Sequence, residues 1–196
     1  MYYDHDNKYA DTGYTFVTAV RPGEEIIRVM IRPVVIWDPR FAIMPNTYSQ
    51  INIQAVFAVR SREGLIAASW RSDLFQYMAG ILRHEAGYPL AVGGWRDHVH
   101  VFFEQKSSQS TADVVRVLKC NSSKWVNDQG LLPVKFAWQE GYGAFSYARR
   151  QRDVVIRYIM NQEQHHARKT FRQEYLSLLD EFEIPFVDRY LFDFFE

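Results

Sequence analysis

The stretch Leu90-Ala91-Val92-Gly93-Gly94-Trp95-Arg96-Asp97-His98-Val99-His100-Val101-Phe102-Phe103 decides the fold. Leu90-Ala91-Val92 is a short strand stopped by two glycines, and His98–Phe103 is a second strand after the turn, so 88–104 reads as a hairpin. Upstream, Ile51–Val59 is rich in β-branched and aromatic residues and reads as a strand. Trp70–Ala86 places Leu74, Tyr77, Met78, Ile81 and Leu82 at helical spacing, with Gly87 where a C-terminal cap belongs. Downstream, Ser110-Thr111 precede a helix over Ala112–Asn127, with Val114, Val117, Leu118 and Trp125 on one face. Lys135–Phe145 reads as a strand interrupted by glycines, Arg149–His166 as one long helix and Phe171–Phe182 as another. From Met44 the order is therefore β-α-β-β-α-β-α-α. Its first six elements give an α+β, ferredoxin-like (RRM-like) βαββαβ plan, an antiparallel sheet with helices on one face. The last two helices are additions to it.

The composition allows such a domain. Of 196 residues, 47% are hydrophobic and 23% charged, enough for a real core and too apolar for disorder. The single cysteine, Cys120, excludes a disulfide framework and a cysteine-based zinc site; beside Leu118 it reads as a small buried side chain. No run of 18 apolar residues occurs, and the polar opening MYYDHDNKY is no secretory signal, so a soluble cytoplasmic protein is the default. The net charge of zero argues against a generic polyanion binder, but it hides an asymmetry. Glu104–Arg172 carries twelve bases against six acids, whereas Gln173–Glu196 carries seven acids and one base, Arg189. That pattern fits either nucleic-acid contact or two solvated faces of opposite sign.

Two features can carry chemistry. In a strand, residues i and i+2 share a face, so His98 and His100 present two imidazoles side by side, with Val99 and Val101 opposite. Such a pair is half a metal site, or two part-exposed histidines without a ligand. Tyr158 and Gln162, four apart on the predicted long helix, share a helix face. Taken alone they read first as a packed tyrosine with a satisfied amide, and otherwise as a tyrosine nucleophile, given a way to ionise a phenol of pKa ~10. Several constellations are excluded: His84-Glu85 is followed by Tyr88 where a zincin helix needs histidine, and there is no Gly-x-Ser-x-Gly elbow and no P-loop.

Four blocks occur in one order: Asp97-His98-Val99-His100-Val101-Phe102, Leu118-Lys119-Cys120-Asn121-Ser122-Ser123-Lys124-Trp125, Trp138-Gln139-Glu140-Gly141-Tyr142-Gly143-Ala144-Phe145-Ser146, and Tyr158-Ile159-Met160-Asn161-Gln162-Glu163-Gln164-His165-His166. Together they resemble the single-tyrosine HUH transposases of bacterial insertion sequences (the IS200-like family, including REP-associated tyrosine transposases), over about Tyr48 to Leu179. The resemblance implies DNA transposition by cleavage and rejoining of single-stranded DNA. A tyrosine attacks a phosphate and leaves a 5′-phosphotyrosine linkage and a free 3′-hydroxyl, with no nucleotide cofactor. It makes Tyr158 the nucleophile and gives Mg²⁺ or Mn²⁺ to His98, His100 and Gln162. The implied partner is single-stranded DNA with hairpin ends, in the bacterial cytoplasm, handled by a monomer or by a homodimer that exchanges tyrosine helices; Gly141 and Gly143 would permit the movement.

DNA contact would fall to Arg116, Lys119 and Lys124 on the second helix and to Arg149, Arg150, Arg152 and Arg157 at the start of the tyrosine helix. Trp125, Trp138 and Tyr142 are either base-stacking platforms or core. Three segments are expected: a doubtful extension over 1–43, the transposase domain over 44–168, and an acidic, aromatic extension over 169–196. Met44-Pro45-Asn46-Thr47-Tyr48-Ser49-Gln50 looks like the family's opening, so translation is expected to start at Met44. In 1–43, Arg21-Pro22-Gly23 marks a turn and the apolar run Ile26–Ile31 has the look of a strand that nothing nearby completes. Phe182, Phe186, Leu191, Phe192, Phe194 and Phe195 are too apolar to leave in water and are expected to dock on the domain or on a second subunit. The competing functions are a domesticated REP-associated tyrosine endonuclease and a non-catalytic RRM-like nucleic-acid binder; a relaxase or replication initiator would be longer.

Overall fold

The computed structural model describes residues 48–61 and 65–195, and the backbone of 15–19 and 27–31. The chain divides into two compact units, residues 1–48 and 49–196. In the first, β1 (Thr15–Ala19) pairs antiparallel with β2 (Ile27–Ile31), Val17 opposite Val29. The expectation that nothing completes the apolar run therefore fails: Thr-Phe-Val-Thr-Ala is itself a sequence of strand formers. The turn at Arg21–Gly23 and the start at Met44 lie outside the described residues.

The second unit runs β3 (Ile51–Ala58), α1 (Ala68–Ile81), β4 (Gly87–Gly94), β5 (His98–Gln105), α2 (Thr111–Asp128), β6 (Gly143–Tyr147), α3 (Arg152–Met160), α4 (Gln162–His166) and α5 (Phe171–Glu181). The sheet order is β4-β5-β3-β6 with every neighbouring pair antiparallel, which is the α+β, ferredoxin-like arrangement read from the sequence. Local chemistry sets the helix starts. The Ser110 side chain accepts from the Asp113 amide to open α2, and Thr170 and Gln173 form a reciprocal capping box on α5. Among the described residues no helix is long and apolar enough to cross a membrane.

The sheet has two unlike faces. Val99, Val101 and Phe103 of β5 are fully buried in one core with Leu74 and Met78 of α1 and Leu118 of α2. Those two helices also meet through Tyr77, which stacks on Trp125 at 5.3 Å. On the opposite face Phe102 packs with Ala91, Val155 and Ile159, so α3 covers β4 and β5. The helices that the sequence presents as additions thus form a third layer. Two glycines let that layer approach closely. A Cβ at Gly93 would overlap the carbonyl of Ile159 on α3, and one at Gly143 would lie 2.8 Å from the Tyr175 ring of α5. Gly143 therefore serves packing inside β6.

Other expectations change. The strand expected over Lys135–Phe145 forms only over Gly143–Tyr147, because Trp138 turns inward against Phe57 and Phe136 and donates to Ser122 Oγ at 2.9 Å. Trp138 is thus core, bridged to Val59 by a single β-bridge. The expected long helix over 149–166 is a 3₁₀ turn, then α3, then α4, interrupted at Asn161 (φ −102°, ψ 21°). Cys120 is exposed, not buried, since the buried stripe of α2 is Val114, Val115, Leu118, Ser122 and Val126. In the tail, Phe192 is buried, Phe182 packs on Phe145 and Phe194 on Phe171, whereas Phe186 stays exposed.

Candidate active site

His98 and His100 project from β5 into the interface with the C-terminal layer, and both are fully buried, so the reading as part-exposed histidines fails. The His98 ring lies flat on Phe171, centroids 4.0 Å apart, and its Nδ1 is 2.7 Å from Asp97 Oδ1. A carboxylate only accepts, so Nδ1 carries the hydrogen, and in the neutral ring Nε2 is a bare lone pair. His100 Nδ1 lies 2.7 Å from the Gln54 amide nitrogen, while Gln54 Oε1 is buried without a partner. A half-turn of that amide places the oxygen on Nδ1–H and bares Nε2 of His100 as well.

Helix α3 brings the tyrosine. Val155 and Ile159 seat it on the sheet, which turns Tyr158 toward the histidines, its ring edge-on to His100 at 5.7 Å. The Tyr158 hydroxyl donates to Glu174 Oε1. After the break at Asn161, Gln162 enters the same cluster. Its Oε1 is 3.2 Å from His98 Nε2, and its amide nitrogen donates to Glu174 Oε1 at 2.8 Å. Within a single chain, then, the structure brings together Tyr158, His98, His100 and Gln162, all four named from the sequence.

Glu174, absent from that set, is the hub. It lies on α5 with Phe171, Tyr175 and Leu178, a stripe at helical spacing that is apolar except for this carboxylate. A lone acid on a buried stripe is the signal that would have found it. Its Oε2 is 3.3 Å from His98 Nε2, 3.4 Å from His100 Nε2 and 3.2 Å from His166 Nε2. Its other oxygen takes the tyrosine and the Gln162 amide. The electrostatics follow from this crowding. Burial disfavours the Glu174 carboxylate, but the surrounding histidines outweigh it and hold the group ionised well below the usual carboxylate range. Burial also opposes charge on His98, yet the hydrogen bond to Asp97 and the nearby Glu174 carboxylate prevail and raise it to about 9. Burial lowers His100. Burial and the Glu174 charge push the Tyr158 phenol far up, so it rests protonated.

The donor set fits a divalent cation. His98, His100 and Glu174 each offer one atom, all within 4.8 Å of one another. His100 Nε2 and Glu174 Oε2 are buried with no hydrogen-bond partner, a cost that a cation would remove. Beside Tyr158 opens a cleft of about 550 Å³ lined by Asn161, Gln164, His165, Arg168 and Lys169.

The basic residues named from the sequence are dispersed. Arg116 and Lys119 line a separate cleft of about 480 Å³ with Tyr142. Arg116 pairs with Asp113 at 3.3 Å and Lys124 with Asp128. Lys119 donates to the carbonyls of Gln139 and Gly141, and burial lowers its pKa to about 8. Arg152 is turned inward, donating to Asn52 at 2.7 Å and pairing with Glu104. Arg149, Arg150 and Arg157 remain on the exposed surface.

The sequence model of a family described as "Transposase IS200 like" matches residues 47–162. No curated protein matches the chain. Among solved structures, a Deinococcus radiodurans R1 protein described as a "putative transposase" is similar at 16% identity and TM-score 0.47, covering 60% of this chain and 94% of that one. A REP-associated tyrosine transposase bound to a REP hairpin is similar at 14% identity and TM-score 0.46, covering 61% of this chain and 71% of that one.

Proposed function

The chain belongs to the IS200-like transposase family, whose members are DNA-processing enzymes, and we propose that it cleaves and rejoins single-stranded DNA through Tyr158, with a divalent cation, Mg²⁺ or Mn²⁺, held by His98, His100, Gln162 and Glu174. The observation that carries this reading is the meeting, at one carboxylate, of a half-buried tyrosine from α3 and a fully buried histidine pair from β5.

The Tyr158 oxygen attacks the scissile phosphorus, the P–O3′ bond breaks, and the electron pair leaves on O3′, which takes up a proton. The product is a 5′-phosphotyrosine and a free 3′-hydroxyl. Reversal by the same or another 3′-hydroxyl reseals the strand, and bond energy is conserved in the linkage. Glu174 Oε1, already accepting from the phenol, is placed to take its proton. When bound, the cation polarises a phosphate oxygen and offsets charge that grows in the transition state. Asp97 and Gln54 orient the two imidazoles, and Phe171 fixes the plane of His98. Arg168 and Lys169, in the cleft beside the tyrosine, are placed to hold the phosphates on either side of the scissile one. Arg149 and Arg150, with Arg116, Lys119 and Lys124, would add phosphate contacts outside it. A hairpin-bearing single strand is the substrate class that the family resemblance implies.

A covalent-adduct assay tests this. Labelled single strands from the flanks of the gene, incubated with protein and Mg²⁺ or Mn²⁺, should give a protein–DNA adduct that chelator prevents and Tyr158→Phe abolishes. An adduct retained in Tyr158→Phe would overturn the assignment.

A further inference from the structure

His166 lies outside the ligand set just described, yet it occupies the same space. It sits on the last turn of α4, with a side chain 3% exposed. Its Nε2 is 3.2 Å from His98 Nε2, 2.9 Å from Gln162 Oε1 and 3.2 Å from Glu174 Oε2. Its Nδ1 lies 2.8 Å from the Lys169 carbonyl, which can only accept, so the ring hydrogen is there and the lone pair points inward. Trp95 lies parallel to the ring on one side, at 6.4 Å.

The tautomers are decisive. Nδ1 of His98 donates to Asp97 and Nδ1 of His166 donates to a carbonyl. In their neutral forms both therefore turn bare lone pairs toward each other across 3.2 Å, with two more acceptor oxygens, of Gln162 and Glu174, beside them. Such a ring of acceptors needs a positive charge inside it, which a proton supplies in metal-free protein and a cation would supply in its place. Ligands at ~2.1 Å from an ion, at right angles to one another, are about 3.0 Å apart. The contacts of 2.9–3.4 Å around His166 and Glu174 are of that size.

We propose that His166 is a further metal ligand, so that this chain holds its cation with three imidazoles, a carboxylate and the Gln162 amide oxygen, and that the site is therefore selective for Mn²⁺ and other transition ions over Mg²⁺. The proposal rests on the metal site of the preceding section and deepens it. Its physical basis is donor type. Mg²⁺ prefers oxygen, keeps several waters and is usually held through one or two carboxylates, whereas imidazole suits the later first-row transition ions, with Mn²⁺ the weakest binder of that series. Each added imidazole takes a position from water and shifts preference away from Mg²⁺.

The test reads binding, not turnover. Mn²⁺ is titrated into the purified full chain by calorimetry, with Mg²⁺ as competitor, and pulsed EPR of the Mn²⁺ complex counts the imidazole nitrogens. Three coupled imidazoles are expected in the wild-type protein, and Mg²⁺ should compete only in large excess. His166→Ala should leave two imidazoles, weaken Mn²⁺ binding at least about tenfold, since losing even an outer-shell partner typically costs 10–100-fold, and narrow the gap between Mn²⁺ and Mg²⁺. Two imidazoles in the wild type, or unchanged Mn²⁺ affinity in a folded His166→Ala, would overturn the role of His166 and leave the two-histidine site standing. No Mn²⁺ binding to the wild type at all would overturn the metal site itself. The EPR count on the unaltered protein decides the matter even where the variant does not fold.

Discussion

The two faces of β5 are equally buried and chemically opposite. Val99, Val101 and Phe103 are enclosed by apolar side chains, and His98 and His100, one residue out of phase with them, are enclosed by Tyr158, Gln162, Glu174 and His166. The first face gains stability from burial itself. The second removes polar groups from water and recovers the cost only through partners carried on three other helices. A domain that seals two imidazoles against a carboxylate on one side of its central hairpin, and close-packs the other side, has separated where it is held together from where the proposed chemistry would take place.

The sharpest way to break the comparison is on the acting face. Tyr158→Phe removes one hydroxyl and one hydrogen bond, so stability should fall by about 1 kcal/mol at most, while adduct formation drops to background, a loss of at least ~10³-fold. Hairpin binding, measured by gel shift, should persist. A variant that loses binding together with cleavage would mean that Tyr158 holds the layer in place rather than reacting.

On the holding face the effects reverse. Phe103→Ala should cost about 3–5 kcal/mol by the size of the cavity it leaves, which at ~2–4 °C per kcal/mol for a chain of this length is a fall of roughly 6–20 °C in Tm. Where the variant is folded it should still form adduct. His100→Ala, its near neighbour on the other side of the strand, should lose metal-dependent cleavage with a much smaller change in Tm. If both variants lose stability alike, the separation of the two faces is wrong.

The holding face was legible in the sequence and the acting face only in part, for a physical reason. Alternation in β5 and the helical spacing of Leu74, Met78 and Leu118 are local patterns, and local patterns fix the four-stranded sheet and its first two helices. His98, His100, Tyr158 and Gln162 were found as short motifs and by resemblance. Glu174 and His166 join them only through the packing of α5 and α4, which no local period encodes. The break at Asn161 was hidden for the same reason: 149–166 is helical in composition, and the interruption shows only where the chain meets the site. Lys135–Phe145 misled because its pairing with the β3 edge, present as a single bridge at Val59–Trp138, is interrupted before Gly143 where Gly141 takes a φ of 72°.

A smaller effect tests how the acting layer is held. Gly93 lies under Ile159, the residue after the tyrosine, and a methyl group there has nowhere to go but into the α3 backbone. Gly93→Ala should cost about 1–3 kcal/mol by overpacking and lower adduct formation by displacing Tyr158. Gly80→Ala, where a Cβ would meet nothing and the residue lies within α1, should instead be neutral or gain up to ~1 kcal/mol in helix propensity. Equal Tm values for the two variants would show that α3 does not press on β4 as the structure has it.

The most gradual effect is a slope with pH. In metal-free protein His98 is surrounded by Asp97, Glu174, His100 and His166, and its folded pKa of about 9 stands above the unfolded 6.5. A group raised on folding contributes stability that is fully present below the unfolded value and is lost as pH climbs through the folded one. Chelated protein should thus lose on the order of 1–3 kcal/mol between about pH 6.5 and 9. Glu174 is depressed on folding, so its contribution is lost only on acidification, and His100, lowered by burial, also acts below that window. His98→Asn should flatten the decline, and Asp97→Asn should reduce it by removing one of the two carboxylates that favour the charged ring. A Tm flat from pH 6.5 to 9 in the unaltered, chelated chain would show that the site holds no proton where it is expected to hold a metal, and the two faces of β5 would then differ less in their electrostatics than in their shapes.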